Sequence, residues 1–152
     1  MRHAKSDWEQ SDSNDFERSL KKKGIKEASQ IANKIKYLGL KPDFLLSSPA
    51  KRAIGTAHII ADSFDIPHTI IQERPSLYQG EVPDFIAAVA EIPADKKTVF
   101  IFGHNPGLSE FASYLVQQDI YMHTATAVIL DIQDRWNKLQ NAEQFMILNP
   151  GK

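Results

Sequence analysis

The sequence predicts an α/β layered fold with a mainly parallel sheet. Four segments repeat apolar residues at the spacing of a helix, and short apolar runs suited to strands stand between them. That alternation requires crossover connections, which set neighbouring strands parallel. Only the last third of the chain breaks the rhythm. The 152 residues contain no repeat, low-complexity tract or linker, so a single domain over 1–152 is expected. A chain of this length buries roughly 70% of the surface its unfolded form exposes, enough for one core without a disulfide or structural metal.

The first twenty residues, with Asp7, Glu9, Asp12, Asp15 and Glu17 among several serines, read as a solvated loop. From Gly24 onward Ile25, Ala28, Ile31, Ala32, Ile35 and Leu38 share one helical face, and Gly39 supplies a C-terminal cap. Residues 44–46, between Pro42 and Ser47-Ser48-Pro49, form a buried strand that ends in a loop. A second helix covers 51–64, with Ala53, Ile54, Ala57, Ile60, Ala61 and Phe64 turned inward. After Pro67, residues 68–72 read as a strand and 77–83 as a loop. A third helix over 84–91 presents Phe85, Ile86, Val89 and Ala90. The strand at 98–102 carries the unbroken run Val99-Phe100-Ile101-Phe102, the pattern of burial on both faces. Gly103-His104-Asn105-Pro106-Gly107 follows it, then a helix over 108–116 with Leu108, Phe111, Ala112 and Leu115 at core spacing. Residues 127–132 and 144–148 read as two meander strands joined by the polar segment 133–143.

Composition removes several function classes. Cysteine is absent, which excludes thiol nucleophiles, disulfides and thiolate zinc sites. Lys and Arg number 18 against 19 Asp and Glu, a formal net charge of −1 that argues against a general nucleic-acid binder. No run approaches the roughly 18 apolar residues of a membrane span. Met1 to Lys5 leads into polar residues rather than the apolar stretch of a secretory signal. A soluble, cytoplasmic protein without nucleic-acid or membrane partners is expected.

Open α/β sheets bind ligands beyond the carboxyl ends of their strands. Two polar segments follow strands there, Ser47-Ser48-Pro49-Ala50-Lys51-Arg52 and Gly103-His104-Asn105-Pro106, and Arg2-His3 opens the chain. Brought together, they would assemble two imidazoles, His3 and His104, with two guanidiniums, Arg2 and Arg52. That set suits a phosphoryl group, whose charge near neutral pH is about −1.5 to −2. Arginine grips such a group through paired N–H donors and never loses its proton. A neutral imidazole can attack phosphorus and hold the group covalently, and a second imidazole can donate to the equatorial oxygens. The start of the helix at Lys51 adds main-chain N–H groups and a positive dipole end. Each piece also has a plain reading: His3 as a structural ring, Arg52 as a solvated side chain, His104 as a cap in a turn. The joint arrangement is far less expected by chance than its parts.

Over nearly its whole length the chain resembles the histidine phosphatase superfamily, and its SixA-like phosphohistidine phosphatase branch in particular. The resemblance rests on Arg2-His3-Ala4-Lys5-Ser6, on Asp15-Phe16-Glu17-Arg18 with Leu20 and Gly24, and on Leu46-Ser47-Ser48-Pro49-Ala50-Lys51-Arg52-Ala53 with Thr56-Ala57. Leu77-Tyr78 and Gly103-His104-Asn105-Pro106-Gly107-Leu108 complete it. It implies a phosphoglycerate-mutase-like, three-layer α/β/α sandwich with His3 as the phosphorylated nucleophile and Arg2, Arg52 and His104 as the phosphate pocket. No metal and no organic cofactor are implied. Arg18 matches the Arg of the family's Asp-x-x-Arg-x-Leu stretch and is expected either at the mouth of the pocket or in a surface salt bridge. Ser6 is a candidate to bond a phosphate oxygen, and Lys5 lies beside it.

Two departures stand out. Relatives place a hydrophobic strand ahead of the Arg-His signature, in the middle of the sheet, whereas only Met1 precedes Arg2 here. A central gap would leave backbone groups unpaired, so either His3 is held less firmly than His104 or another segment fills the gap. The second departure is the general acid. Glu81 is the tempting carboxylate in the 77–83 loop, but its spacing fits a solvated loop acid better. A weak acid is tolerable for phosphohistidine, whose P–N bond is labile. The expected function is hydrolysis of phosphohistidine on a protein, with phosphorylated small molecules as secondary substrates. The alternatives are a non-catalytic phosphate- or phosphoprotein-binding domain and a general small-molecule phosphomonoesterase, the latter favoured if Glu81 points into the pocket. Metal-dependent hydrolysis ranks behind them. Trp8, Tyr78 and Tyr121 either shape substrate choice or pack.

Overall fold

The computed structural model describes residues 1–8 and 14–151; Glu9 and Asp12 of the polar N-terminal segment lie outside them. Helix α1 (Lys22–Tyr37) buries Ala28, Ile31, Ala32 and Ile35 along one face. It ends where Gly39 adopts φ +78°, the left-handed conformation that favours glycine. Strand β1 (Phe44–Ser47), helix α2 (Lys51–Ser63), strand β2 (Ile71–Glu73), helix α3 (Val82–Ala90), strand β3 (Val99–Phe102) and helix α4 (Gly107–Val116) follow in turn. An antiparallel hairpin, β4 (Ala127–Asp131) and β5 (Gln144–Leu148), closes the chain.

β1, β2 and β3 form a parallel sheet in the order β2-β1-β3, with Leu45 opposite Ile71 on one side and Phe100 on the other. Alternation along the strands divides the core into two layers. Leu45, Ile71, Phe100 and Phe102 pack with α1 and α2, while Leu46, Val99 and Ile101 pack with α3 and α4. This is the expected three-layer arrangement with a mainly parallel sheet. The carboxyl ends of β1 and β3 consequently open side by side into the segments that begin α2 and α4. Among the described residues no helix is long and apolar enough to cross a membrane.

Three elements differ from expectation. Residues 68–70 make a 3-10 turn after Pro67, and the strand begins only at Ile71. The turn itself sets this limit, because the Ile70 N–H donates back to the Pro67 carbonyl at 3.2 Å and register pairing with β1 starts at Ile71 opposite Leu45. α3 starts at Val82, two residues early, because Glu81 and Asp84 form a reciprocal capping box. The Glu81 N–H donates to Asp84 Oδ2 at 2.8 Å. The N-terminal segment is no solvated loop throughout: Ala4, Ser6 and Arg18 are buried, and Ser6 pairs antiparallel with Leu20. Gly24 permits this, since a Cβ there would lie 2.2 Å from the Lys5 carbonyl oxygen.

Met1 to His3 lie between β3 and the segment ahead of β4. Arg2 pairs parallel with Gly103. The His3 N–H donates to the Gly103 carbonyl and the Arg2 N–H to that of Thr126, both at 3.0 Å, and the Ala125 N–H donates to the His3 carbonyl at 3.0 Å. His3 is therefore bonded on both sides and is as buried as His104, at 6% and 7% exposure. A cavity of roughly 940 Å³, lined by Val99, Ile101, Ala127, Val128, Leu130 and Met1 among others, separates β3 from β4. At its end the Met1 amino group donates to the Ile101 carbonyl at 2.7 Å. Burial pulls that amine down to about 5.

Candidate active site

Main-chain geometry brings the three segments together. Arg2 and His3 are seated beside Gly103, where β3 ends, and His104 is the next residue. The Ala4 N–H donates to Thr56 Oγ1 at 2.9 Å, and the same hydroxyl donates to the Arg52 carbonyl at 2.8 Å. Thr56 thereby ties the chain after His3 to the first turn of α2. The His3 and His104 rings lie 5.2 Å apart between centroids, tilted by 49°.

Each imidazole has one nitrogen occupied. His3 Nδ1 is 2.8 Å from the Ala4 carbonyl oxygen. A carbonyl only accepts, so Nδ1 carries the proton and Nε2 keeps its lone pair. His104 Nε2 is bonded to Ser48 Oγ at 2.8 Å, and Ser48 is itself set by its N–H donating to the Phe102 carbonyl at 3.0 Å. His104 Nδ1 is buried without a partner among the described residues.

The guanidiniums are also held from one side. Arg2 donates to the Met122 carbonyl at 3.1 Å. Asn105, joined to Pro106 by a cis bond, donates to the same oxygen at 2.8 Å. Arg52 is buried, not solvated: it donates to the Asp15 carbonyl at 2.6 Å and to Asp15 Oδ2 at 3.0 Å. Arg18 is buried too, donating to Ser6 Oγ at 2.8 Å and Asp15 Oδ1 at 3.0 Å. The Nε atoms of Arg2, Arg18 and Arg52 are buried without partners among the described residues. Buried donors normally find acceptors, and a ligand that only accepts, such as a phosphoryl group, supplies them.

Burial, reinforced by Arg52, Arg2 and Arg18, lowers His3 to about 4 despite the bond to Ala4. Burial, then Arg52 and His3, lowers His104 to about 3. Both rings are neutral at pH 7. Asp15 is held down to about 2, first by the Tyr78 hydroxyl, which donates to its Oδ2 at 2.6 Å, then by the two arginines. Tyr78 packs edge-on against His104, with centroids 5.5 Å apart.

Not every candidate reaches this cluster. Ser6 is engaged by Arg18, and the Lys5 side chain is exposed while its carbonyl accepts from the Lys21 N–H. Glu81 is exposed and committed to the α3 cap. Trp8 is 76% exposed with its ring stacked on the Arg18 guanidinium at 3.3 Å, and Tyr121 is exposed beside His123. Sequence reasoning quoted Asp15, Ser48 and Thr56 within the matching stretches but gave none of them a role in the site. For Asp15 a signal existed, because a carboxylate three residues ahead of an arginine can pair with it on one turn.

A model of the histidine phosphatase superfamily (branch 1) matches residues 1–77, about half of the chain. The chain belongs to the histidine phosphatase superfamily. Its solved structural neighbours include a candidate phosphohistidine phosphatase SixA of Nakamurella multipartitia, at 25% identity and a TM-score of 0.82 over 99% of this chain and 93% of that one. The protein histidine phosphatase SixA complexed with tungstate shares the fold at 20% identity, with a TM-score of 0.82 over 96% and 93% of the two chains. An uncharacterised chloroplastic protein of Arabidopsis thaliana is 28% identical over 99% of this chain and 71% of its own length. An uncharacterised protein of a Picosynechococcus strain is 29% identical over 90% and 86%. This histidine phosphatase is thus SixA-like in fold and a phosphatase by family.

The neutral imidazoles make the histidine phosphatase acid-sensitive. Below pH 6.5 the unfolded chain protonates both rings while the folded chain does not, so stability falls with pH until about 4 for His3 and about 3 for His104. The slope approaches 1.4 kcal/mol per pH unit for each ring. Asp15 acts with the same sign only below about 3.8, where its paired carboxylate begins to lose its advantage. In urea unfolding between pH 7 and 5, His104→Asn is expected to flatten the pH dependence by about half of the imidazole share.

Proposed function

We propose that this histidine phosphatase hydrolyses phosphohistidine on a protein through a covalent intermediate on His3. The observation that carries the reading is the His3 Nδ1 bond to the Ala4 carbonyl, which leaves the Nε2 lone pair free in a buried site among guanidiniums. His3 Nε2 attacks phosphorus in line, and the P–N bond to the substrate imidazole breaks as the new one forms. The departing ring keeps the bonding pair and takes a proton from solvent. Water then attacks phospho-His3, releasing phosphate and returning the lone pair to Nε2. Arg2 and Arg52 hold the equatorial oxygens, and His104 Nδ1 faces the transferring group. Arg18, with Ser6 fixing it, lines the mouth. Bound phosphoryl charge raises both imidazole pKa values, which favours a donor at His104 Nδ1.

The substrate class follows from proton supply. Glu81 is tied to the α3 cap and Asp15 is ionised, so neither carboxyl group brings a proton to a leaving group at neutral pH. An imidazole, with a pKa near 6.5, leaves after modest protonation where an alkoxide does not. The SixA name of a solved neighbour at 25% identity supports the same class. A cytoplasmic setting belongs to this reading and suits a chain without cysteine.

Turnover of a phosphohistidine protein or peptide is expected to vanish in His3→Ala, together with the acid-labile phosphoenzyme that rapid quenching detects in the native chain. Arg52→Ala should lower kcat/KM by on the order of 10² to 10³. Phosphate release that continues undiminished in His3→Ala rules the mechanism out.

A further inference from the structure

Asp15 is the acceptor both inner arginines share. Its Oδ1 takes Arg18, its Oδ2 takes Arg52 and the Tyr78 hydroxyl, and its carbonyl takes Arg52 again. The side chains of Arg52 and Arg18 are 6% and 8% exposed, whereas that of Asp15 is 44% exposed. The carboxylate therefore sits outside the guanidiniums it holds, on their solvent side. Both oxygens are committed, so it cannot swing away without breaking a bond to Arg18, Arg52 or Tyr78.

Charge bookkeeping gives this position a consequence. Arg2, Arg18 and Arg52 bring three positive charges and Asp15 removes one, leaving a balance that a phosphoryl group of about −1.5 to −2 offsets. A substrate bearing a second anion beside its phosphoryl group finds no guanidinium charge left over. The outward donors of Arg18 and Arg52 are already spent on Asp15, and the seat a substrate carboxylate would take holds a carboxylate. Two carboxylates a few ångströms apart at a partly desolvated site repel one another.

We infer that Asp15 is a specificity-determining residue that restricts the site to phosphoryl groups on neutral or cationic leaving groups and turns away those carrying a neighbouring anion. The inference rests on the phosphoryl-binding reading of this site and narrows it: protein-borne imidazoles qualify, whereas phosphorylated hydroxy acids and diphosphates do not.

The test needs no turnover. Methylphosphonate and phosphonoacetate differ by one carboxylate, and calorimetric titration of the native chain at a pH where both phosphonates are dianionic compares them directly. Methylphosphonate is expected to bind at least tenfold more tightly. In Asp15→Asn, and in Asp15→Ser as a second variant, that ratio should shrink to threefold or less even if both affinities fall. Equal affinities in the native chain overturn the inference. So does a ratio that the variants leave unchanged, because Asp15 then only holds the arginines. A native chain that shows the expected ratio yet releases no phosphate from phosphohistidine refutes the phosphatase reading and leaves the selectivity standing.

Discussion

Everything in the site hangs on three residues of main chain. Met1 to His3 span the gap between β3 and the segment ahead of β4, bonded to Gly103 on one side and to Ala125 and Thr126 on the other. Those bonds bring His3 next to His104 at the end of β3. Thr56 extends the constraint to α2, so that Arg52 and His3 are fixed through one hydroxyl. Backbone pairing places the His3 ring more firmly than side-chain packing does, because an unpaired buried peptide group is costly.

The site then works by a balance of desolvation and charge. Two imidazoles are buried beside three guanidiniums, and burial together with like charge keeps both rings neutral. Neutrality is what the proposed nucleophile, His3, needs. The guanidiniums cannot discharge themselves; Asp15 compensates in part, and the remainder is attraction for an anion. The orphaned Nε atoms and His104 Nδ1 are the structural expression of that remainder. The same arrangement costs stability as pH falls, so acid sensitivity and the attraction for an anion have a single origin.

Much of the fold was legible in the amino-acid order. The helices at 22–37, 51–63 and 107–116 announce themselves through apolar periodicity, and the Val99–Phe102 run through unbroken burial. Misreadings fell where a partner element decides. Ile70 reads as strand by composition, yet its N–H is taken by the Pro67 carbonyl in a 3-10 turn. Glu81 reads as a loop acid, yet Asp84 recruits it as a helix cap. Arg52 taken alone reads as a solvated side chain, because only the Asp15 carbonyl and carboxylate make its burial tolerable. Asp15 was legible only beside Arg18 in its own short stretch; its other partners, Arg52 and Tyr78, lie 37 and 63 residues away and no local pattern points to them.

By itself the sequence determined which chemistry is possible: arginines and histidines at strand ends, no thiol, and an order of elements that demands parallel crossovers. Local periodicity and residue type suffice for that, since they act over a few positions. Tertiary structure alone decided which nitrogen of His3 is free, which acid holds the arginines and which merely caps a helix. Those outcomes depend on distances between residues remote in the chain, and only the closed fold brings their charges and hydrogen-bonding groups within reach of one another.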